Sequence, residues 1–552
     1  MRRVALTLAL GALVLPAGAS ASGTTGRLLV SLRAPHGAHA QASAAQAVIA
    51  RASARFAGRF VPQIGLVTVS ARRGASLHAL ARRLRADPSV RAVDVEGRAT
   101  PRFVPNDPAL TQPETATGTP PDTPVEWWVA REDFPAAWDI TRGTGAAVAV
   151  IDTGVDATPP ELATKIRRSI NLDSDPNDGP ASVDNDGHGT HVASLACAAS
   201  DNEIGIAGAG LDCGLFVIKS DLSDGGVAQA IVDAANANVD AINMSFGTDD
   251  RANAPQAIVD AIDYAFSRGI PMVAAAANKQ TAEQGDPANV LQPSGTGPGI
   301  DNGRGLSVAA AAADGSRASF SGVGSQISIA AYGTFAEPGG PPGLLGAFPS
   351  NTTSIEVGSL LTAPPTPPCR CRTTFDGDNR YAYLQGTSMA TPQVAGTAAL
   401  IHHLNPGLGA KGTIKVLKET ARRPAGAWTP ELGWGILDAG AALRAARDID
   451  ATPPLSSVAA PPITHQTSIT LGIRASDPVL PGVKSTGVDV VKVYRSTYGG
   501  AGVKIATTRQ TRLRVKVRRG SRYAFWTEAI DRAGNVEAAP RTPDARTRVA
   551  RT

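Results

Sequence analysis

The chain has 552 residues, too many for one ordinary hydrophobic core, and its 43% hydrophobic residues exclude a disordered protein. The formal charge of +5 hides three segments of different sign. Residues 1–104 hold 15 basic and 3 acidic residues, residues 105–451 hold 21 and 39, and residues 452–552 hold 17 and 6. The acidic middle segment argues against a core that binds nucleic acid.

Residues 1–21 are predicted to be a signal peptide. Arg2 and Arg3 precede an apolar run at 4–15, and small residues at 19–21 offer a cleavage site. A membrane span needs about 20 apolar residues, so this run is too short to be one. The alternative is an ordinary buried helix. We expect a secreted, extracellular protein.

Residues 22–103 are predicted to form a small α+β domain. Apolar runs indicate strands at 27–32, 66–70 and 90–95, and helices are indicated at 42–56 and 77–85. The following stretch, 100–124, is rich in Pro and Thr, a composition typical of a linker.

Residues 104–451 alternate short apolar runs with helical stretches. The predicted strands are 146–151, 215–219, 239–243, 271–276 and 306–310, and the predicted helices include 227–237, 256–268 and 388–404. This alternation predicts an α/β fold with a doubly wound parallel sheet, whose sites form at the carboxyl ends of the strands. Residues 333–368 are rich in Pro and Gly, which predicts a long surface insertion.

Residues 452–552 begin near Pro453 and Pro454, and strand-like alternation at 468–475, 488–494, 512–517 and 522–529 predicts a β-sandwich. Four cations alternate along one predicted strand and should project from one face: Arg512, Arg514, Lys516 and Arg518. Three roles for this tail stay open. It binds an anionic surface polymer, docks on the acidic core, or is an inert spacer.

Four cysteines fit an oxidising compartment. Cys197 and Cys213 would close a short loop, and we favour that disulfide. Cys369 and Cys371 are separated by one residue, which makes a bridge between them geometrically awkward. Zinc binding is the alternative for this pair.

Three motifs of the core carry a carboxylate, an imidazole and a hydroxyl. Asp152 ends a predicted strand, His188 lies between glycines at a helix start, and Ser388 begins a helix of small residues. A hydroxyl becomes nucleophilic when a base accepts its proton, and a carboxylate fixes the tautomer of that base. A helix N-terminus also supplies N–H groups to a developing oxyanion.

In this order the three motifs resemble the subtilisin-like serine proteases, over about residues 125–445. The resemblance implies a serine endopeptidase that forms an acyl-enzyme and needs no cofactor for catalysis. It implies Ser388 as nucleophile, His188 as general base and then acid, and Asp152 as the group that orients His188. Asn278, within residues 275–278, is similar to the side-chain donor of the oxyanion hole.

The same resemblance implies binding sites. Two segments are similar to the strands that hold substrate in the family: Ser245, Phe246 and Gly247 in one, and Ser223, Asp224 and Gly225 in the other. A structural Ca²⁺ site is implied at Glu161, Asn202, Ile204 and Ile206. The acidic segment 173–179 also resembles a Ca²⁺ loop, although we favour a solvated loop there.

Residues 22–103 resemble the propeptides of this family, which assist folding and inhibit the enzyme. A self-processed preproenzyme is therefore expected, with protein or peptide substrates and its own propeptide as partners. Residues 452–552 resemble fibronectin type III-like domains of bacteria. We expect a monomer that does not bind nucleic acid.

Three histidines compete with His188 for the role of base. His191 is expected to pack structurally on its helix. His402 and His403 follow Ser388 by 14 and 15 residues in sequence, about 21 Å along a helix. Two other functions stay open: an inactive protease-like protein that binds a surface, and an esterase. The α/β-hydrolase order of Ser, acid and His argues against the esterase.

Overall fold

The structure is a computed structural model that describes residues 24–33, 38–97, 103–175, 178–248, 251, 253–336, 340–358, 367–423, 426–479, 483–497 and 500–551. The predicted signal peptide lies outside these residues. The chain divides into two compact units, with the boundary between Arg102 and Phe103. No helix within the described ranges is both long enough and apolar enough to cross a membrane.

The first unit combines four strands and two helices. They are β1 (Thr24–Leu32), α1 (Ala38–Arg51), β2 (Arg55–Val61), β3 (Leu66–Ser70), α2 (Leu77–Arg85) and β4 (Val90–Gly97). The strands form one antiparallel sheet in the order β2-β3-β1-β4. The helix predicted at 42–56 ends at Arg51, because Ser53 adopts a left-handed conformation with φ of 53°. The chain then continues as the unpredicted strand β2.

The central part of the second unit begins at Phe103. Its strands are β5 (Ala147–Asp152), β6 (Ile166–Asn171), β7 (Gly214–Lys219), β8 (Ala241–Met244), β9 (Met272–Ala275), β10 (Leu306–Ala311), β11 (Ile329–Tyr332), β12 (Leu344–Ala347), β13 (Arg372–Phe375) and β14 (Asp378–Leu384). Its helices are α3 (Trp127–Arg131), α4 (Phe134–Trp138), α5 (Pro160–Ala163), α6 (His188–Cys197), α7 (Asp224–Asn236), α8 (Gln256–Ser267), α9 (Ala288–Leu291), α10 (Ser354–Val357), α11 (Thr387–Leu404), α12 (Gly409–Thr420) and α13 (Ala439–Asp448).

Seven of these strands form a parallel sheet in the order β11-β10-β9-β8-β5-β7-β6. One hydrophobic core lies on the α6 and α11 face and another on the α7 and α8 face, so the central strands read as continuous apolar runs. The predicted parallel α/β sheet is therefore confirmed. The edge strands β6 and β11 were not predicted. Residues of β6 are largely exposed, and β11 has only four residues.

Residues 333–368 are not simply a surface insertion, and that prediction was wrong for the part that is described. Leu344 and Phe348 are fully buried, and β12 pairs with β14 in an antiparallel sheet completed by β13. The Ala347 N–H donates to Ser194 Oγ of α6 at 2.9 Å. Local periodicity misses β12 because its partner strand lies more than 30 residues later in the chain. Residues 337–339 and 359–366 are outside the described part.

Both pairs of cysteines form disulfides. Cys197–Cys213 is the predicted bridge, with Cα atoms 5.5 Å apart. Cys369 and Cys371 are also bridged, with Cα atoms 5.2 Å apart, so the expectation that their spacing disfavours a disulfide was wrong. The two thiols are used by that bond, which leaves the zinc alternative without ligands.

The C-terminal part of the second unit is built from strands. They are β15 (Leu455–Ala459), β16 (Ile463–Thr464), β17 (Ser468–Ser476), β18 (Val488–Thr497), β19 (Val503–Thr508), β20 (Arg512–Lys516), β21 (Arg522–Asp531) and β22 (Ala545–Val549). Two sheets, β15-β17-β20 and β16-β22-β21-β18-β19, share one hydrophobic core that includes Leu471, Val493 and Phe525. This is a β-sandwich arrangement. Its likeness to fibronectin type III-like domains stays a prediction.

Candidate active site

Asp152 is the last residue of β5, at the carboxyl edge of the parallel sheet. It is 1% exposed, and its Oδ1 accepts hydrogen bonds from His188 Nδ1 at 2.8 Å and from the Thr153 N–H at 2.9 Å. The carboxylate can only accept, so the Nδ1 atom carries a proton and Nε2 is left as the basic nitrogen. The structure thus brings together two of the three predicted catalytic groups.

The His188 ring is 23% exposed, and its environment changes its basicity. Burial opposes the charged ring, but the negative charge of Asp152 and the hydrogen bond to it outweigh burial and raise the pKa of His188 to about 9. Asp186 and Asp184 act in the same direction. The fraction of His188 able to accept a proton therefore grows through the alkaline range.

Asp184, which the sequence analysis missed, organises the turn before His188. It is buried, and it accepts hydrogen bonds from the hydroxyl of Thr153 at 2.9 Å, the N–H of Gly187 at 2.9 Å and the hydroxyl of Thr190 at 2.6 Å. Gly187 has a φ of 99°, and a Cβ there would lie 2.6 Å from the Phe348 ring. An acidic residue four positions before His188 was the available sequence signal.

Ser388 is the second residue of α11 and is 7% exposed. Its Oγ donates to the Ser245 carbonyl at 2.9 Å, and the Ser245 hydroxyl donates to the Ser388 carbonyl at 2.9 Å. Among the described residues, no hydrogen bond joins Ser388 Oγ to His188. Because Ser245 directly follows β8 and β8 is the neighbour of β5, Ser388 lies on the same sheet edge as Asp152. Catalytic hydrogen bonds are often unformed before substrate binds.

Asn278 follows β9 at the same edge. Its Oδ1 accepts from the Thr387 N–H at 2.8 Å and lies 2.9 Å from the Thr387 hydroxyl. These contacts fix the amide so that its NH₂ group stays available as a donor. Asn278 and Ser388 both line a cavity of about 240 Å³. The sequence analysis did not single out Thr387, which holds this geometry.

The first predicted substrate segment divides into two roles. Phe246 and Gly247 line the cavity, together with Thr248 and the end of β9. Ser245 is 1% exposed, and its side chain bonds to Ser388 rather than facing the cavity. Its hydroxyl also accepts from Asn243 Nδ2 at 3.0 Å, so Ser245 positions Ser388.

The second predicted substrate segment is not a strand, and that prediction was wrong in its conformation. Ser223 is the N-cap of α7, with its hydroxyl accepting from the Gly226 N–H at 3.3 Å. Asp224 and Gly225 are the first two residues of the helix. Asp224 forms an ion pair with Arg251 at 2.6 Å, and Arg251 also pairs with Asp286 at 2.6 Å.

Glu161, the first of the predicted calcium ligands, is saturated by hydrogen-bond donors on one oxygen. Its Oε1 accepts from the Tyr381 hydroxyl at 2.7 Å and from the Ile206 N–H at 2.8 Å. Burial raises the pKa of Glu161 to about 8, against the opposing effect of these hydrogen bonds. A Cβ at Gly205 would collide with Oε1, so the loop packs directly on the carboxyl group.

The other oxygen of Glu161, Oε2, is buried and accepts no hydrogen bond from the described residues. Asn202 Oδ1 accepts from the Ile204 N–H at 2.9 Å, and Ile206 presents its N–H. Ca²⁺ needs six to eight oxygen ligands with unshared electron pairs. The calcium site at Glu161, Asn202, Ile204 and Ile206 stays a prediction. In the other acidic segment, Asp178 pairs with Lys219 at 2.7 Å, and residues 176–177 lie outside the described part.

The remaining histidines have structural partners. His191 is buried, and its Nε2 lies 3.1 Å from the carbonyls of Leu344 and Ala382, while burial lowers its pKa to about 4. His402 Nδ1 bonds to Asp240 at 2.9 Å, and His403 Nδ1 lies 3.5 Å from the same carboxylate. Asp240 immediately precedes β8, so these two histidines lie at the opposite, amino edge of the sheet from Ser245.

A parallel sheet that carries a buried aspartate, an imidazole, a helix-borne serine and an asparagine amide on one edge defines a hydrolase with a serine nucleophile. Residues 143–435 match the model of the subtilase family, just over half of the chain. The chain belongs to the subtilase family. The predicted enzyme class, serine endopeptidase, is that of the family.

Three relatives illustrate the extent of the similarity. The chain is 32% identical to the thermophilic serine proteinase of Bacillus sp. (strain AK1), over 48% of this chain and 54% of that protein. It is 30% identical to thermitase of Thermoactinomyces vulgaris, over 53% and 88%. It is 31% identical to an extracellular protease of Xanthomonas campestris pv. campestris, over 67% and 62%. The chain thus spans about half of the first relative and most of the second.

Proposed function

We propose that the chain is a secreted serine endopeptidase that cleaves peptide bonds through Ser388, His188 and Asp152 and matures by cutting its own precursor. The observation that carries this proposal is the 2.8 Å bond between His188 and a buried Asp152 on the sheet edge that also holds Ser388 and Asn278. Family membership supplies the reaction class.

In the proposed first step, the Ser388 hydroxyl turns from the Ser245 carbonyl toward His188 Nε2. His188 takes the proton as Oγ attacks the substrate carbonyl, and Asp152 stabilises the resulting imidazolium. Negative charge develops on the carbonyl oxygen, where the Asn278 NH₂ group and the N-terminal amides of α11 donate. His188 then protonates the leaving amine, and the acyl-enzyme forms.

In the proposed second step, a water molecule replaces the leaving amine. His188 Nε2 accepts a proton from this water as its oxygen attacks the acyl carbon, and the same proton returns to Ser388 Oγ as the acyl bond breaks. The Asn278 NH₂ group donates to the oxyanion of this step as it did in the first step. The chain ends the cycle with the same protonation at Asp152, His188 and Ser388.

The cavity beside Ser388 favours an uncharged side chain at the cleavage site. The described residues that line it carry no charge and include Phe246, Thr248 and Thr387. An extended peptide would lie against residues 246–247 and place one side chain in the cavity. Main-chain hydrogen bonds of that kind accept varied sequences, which suits a protease of broad specificity.

We also propose a preproenzyme. Residues 1–21 would direct export, which agrees with the relative named as an extracellular protease. Residues 22–103 would act as an intramolecular inhibitor removed by a cut between residues 97 and 106. The compact first unit ends at Arg102, within that interval, and residues 98–102 are outside the described part.

The test is labelling of the purified protein with a fluorophosphonate, followed by digestion of a denatured protein and mass spectrometry of the new termini. We expect one label on Ser388 and new termini that follow uncharged residues. A protein that takes no label and cuts nothing would be an inactive binding protein. A labelled protein that hydrolyses esters without producing any new peptide termini would be an esterase.

A further inference from the structure

A basic groove opens at one end of the C-terminal sandwich, defined by its lining residues Thr467, Ser468, Arg495, Thr497, Arg514, Val515, Lys516, Val517, Arg518, Ser521 and Tyr523. Its volume is about 1110 Å³. The lining residues come from both sheets and all belong to the sandwich. This groove shares no lining residue with the cavity at the catalytic edge, the carboxyl edge of the parallel sheet that holds Asp152, Ser388 and Asn278. Binding in the groove would not depend on the proposed function.

Among the described residues that line the basic groove, four are cations and none is acidic. Arg514 donates to Ser468 Oγ from Nε at 3.1 Å and from Nη2 at 3.0 Å, while Arg495 donates to the Lys516 carbonyl at 3.1 Å. Within the described ranges, no ion pair involves Arg495, Arg514, Lys516 or Arg518. The guanidinium groups are therefore oriented by neutral acceptors but keep their charge uncompensated.

The acidic residues of the sandwich are occupied elsewhere. Asp489 pairs with Arg509, and the other carboxylates accept from uncharged partners: Glu528 from Tyr494, Glu537 from Ser456, Asp531 from Asn535, Asp544 from Thr527 and Asp477 from Ser485. Residues 452–552 hold 17 basic and 6 acidic residues, and part of this excess positive charge is exposed in the groove. The counter-charge of the groove therefore comes from outside the sandwich.

The cations are arranged as a row. Arg514, Lys516 and Arg518 are exposed and alternate with Val515 and Val517, which are buried in the core of the sandwich. Alternate residues of a strand are separated by about 6.6 Å, which is the spacing expected for Arg514 and Lys516 of β20, and Arg518 follows two residues after the strand ends. Hydroxyl groups of Thr467, Ser468, Thr497 and Ser521 lie among them.

We propose that the basic groove binds an acidic polysaccharide. Carboxylates repeated along the polymer would pair with the row of cations, and Arg forks suit carboxylates by bidentate hydrogen bonding. Sugar hydroxyls would exchange hydrogen bonds with the Ser and Thr side chains. The net charge of −18 in residues 105–451 would keep the same polymer away from the catalytic edge.

A nucleic acid fits the groove less well. Binding of single strands depends on aromatic side chains on which bases stack. Among the described residues that line the groove, Tyr523 is the one aromatic side chain; it is 6% exposed, and the guanidinium of Arg495 lies 5.4 Å from its ring centre. Its hydroxyl accepts from the Arg518 N–H at 3.0 Å. The described part of the groove therefore offers no open stacking platform.

The test compares three full-length proteins on polygalacturonate beads. The groove variant carries Arg514→Gln, Lys516→Gln and Arg518→Gln. The control carries Lys504→Gln, Arg541→Gln and Arg546→Gln, three exposed cations of the same sandwich outside the groove. At low salt we expect wild type and control to bind and the groove variant to bind at least about tenfold more weakly. Binding by wild type should fall as salt rises.

Peptide hydrolysis should be equal in all three proteins, because no lining residue of the groove belongs to the catalytic edge. If the triple variant unfolds, the single variant Lys516→Glu, at an exposed residue, replaces it in the binding measurement and should also bind polygalacturonate more weakly than wild type. Equal weakening in groove variant and control would show a diffuse charge effect and overturn the proposal. So would tighter binding to single-stranded DNA, to phosphatidylglycerol vesicles or to uncharged dextran than to polygalacturonate.

Discussion

The two edges of the parallel sheet each carry a histidine bonded to an aspartate. At the carboxyl edge His188 and Asp152 are 2.8 Å apart, and at the amino edge His402 and Asp240 are 2.9 Å apart. The pairs are nearly equal in geometry, so the pair alone does not identify a catalytic base. The carboxyl edge differs because Ser388, Asn278 and a cavity lie beside it. A histidine can act as a catalytic base only when the ring nitrogen that is not bonded to the aspartate lies near a nucleophile.

The largest expected effect comes from removing the nucleophile. Ser388→Ala should lower peptide hydrolysis by about 10⁶-fold, the usual effect in enzymes of this mechanism. It should also leave residues 22–103 attached, because the proposed cut is made by the enzyme itself. Activity is measured on a peptide substrate and maturation by intact mass. Normal processing of the Ser388→Ala protein would contradict both the nucleophile and self-maturation.

The two aspartates give the sharpest comparison of the two edges. Asp152→Asn should lower kcat by about 10⁴-fold, since the His188 tautomer and its charge stabilisation are lost. Asp240→Asn is the matched control and should leave kcat within about twofold. A large loss of kcat in Asp240→Asn with little loss in Asp152→Asn would mean that the catalytic base lies at the amino edge.

The pH dependence follows from the same carboxylate. His188 must be neutral to accept a proton, and its pKa is raised to about 9, so kcat/KM should rise with pH and level off near that value. The residual activity of Asp152→Asn should level off at a lower pH, because the variant lacks the negative charge that raises the pKa of His188. If the rise of kcat/KM with pH were unchanged in that variant, Asp152 would not set the basicity of His188.

A smaller effect is expected at Asn278. Asn278→Leu should lower kcat by about 10²–10³-fold with little change in KM, because its amide donates to an oxyanion that exists only as charge develops. Steady-state kinetics on one peptide separates the two constants. A loss that lies mainly in KM would make Asn278 a ground-state binding residue.

The smallest effect concerns Glu161 and is a change in stability. Its pKa is 4.5 ordinarily and about 8 in the fold. Between these values the unfolded chain releases a proton that the folded chain keeps, so stability should fall as pH rises from about 4.5 to about 8. Glu161→Gln should flatten that fall relative to wild type. Thermal unfolding of fluorophosphonate-blocked protein measures both.

The same unfolding experiment tests the calcium prediction. Because Glu161 is held by Tyr381 and by the Ile206 N–H, EDTA should leave the unfolding midpoint unchanged within about 2 °C. A large drop with EDTA that added Ca²⁺ reverses would mean that these residues rearrange around the ion. Identical pH profiles for wild type and Glu161→Gln would argue against a protonated Glu161.

Residues whose chemistry requires a strict pattern could be predicted from the sequence. Asp152, His188 and Ser388 lie in short motifs at a strand end and two helix starts, and the central strands are continuous apolar runs. The exposed edge strand β6 and the four-residue β11 have no such pattern. These two segments form strands because they pair with strands distant in sequence, and the local periodicity contains no information about that pairing.

Residues that act through a neighbour were also beyond sequence reasoning. Thr387 matters because it holds Asn278, and Ser245 because it exchanges hydrogen bonds with Ser388. The segment 223–225 looked like a strand by resemblance, but Ser223 and Asp224 are better suited to begin a helix. In the sandwich, the alternation of Arg514, Lys516 and Arg518 with buried valines agrees with the expected pattern, since period two is local.

The sheet formed by β12, β13 and β14 has a consequence for synthesis of the chain. Ser354 donates its N–H to the Asn185 carbonyl at 2.9 Å and bonds through its hydroxyl to Asp186, 168 residues earlier, while Phe348 packs beside Gly187. The turn that presents His188 is therefore shaped by residues translated long after it. A ribosome-bound or truncated chain that stops before residue 340 would carry His188 without the residues that support its turn.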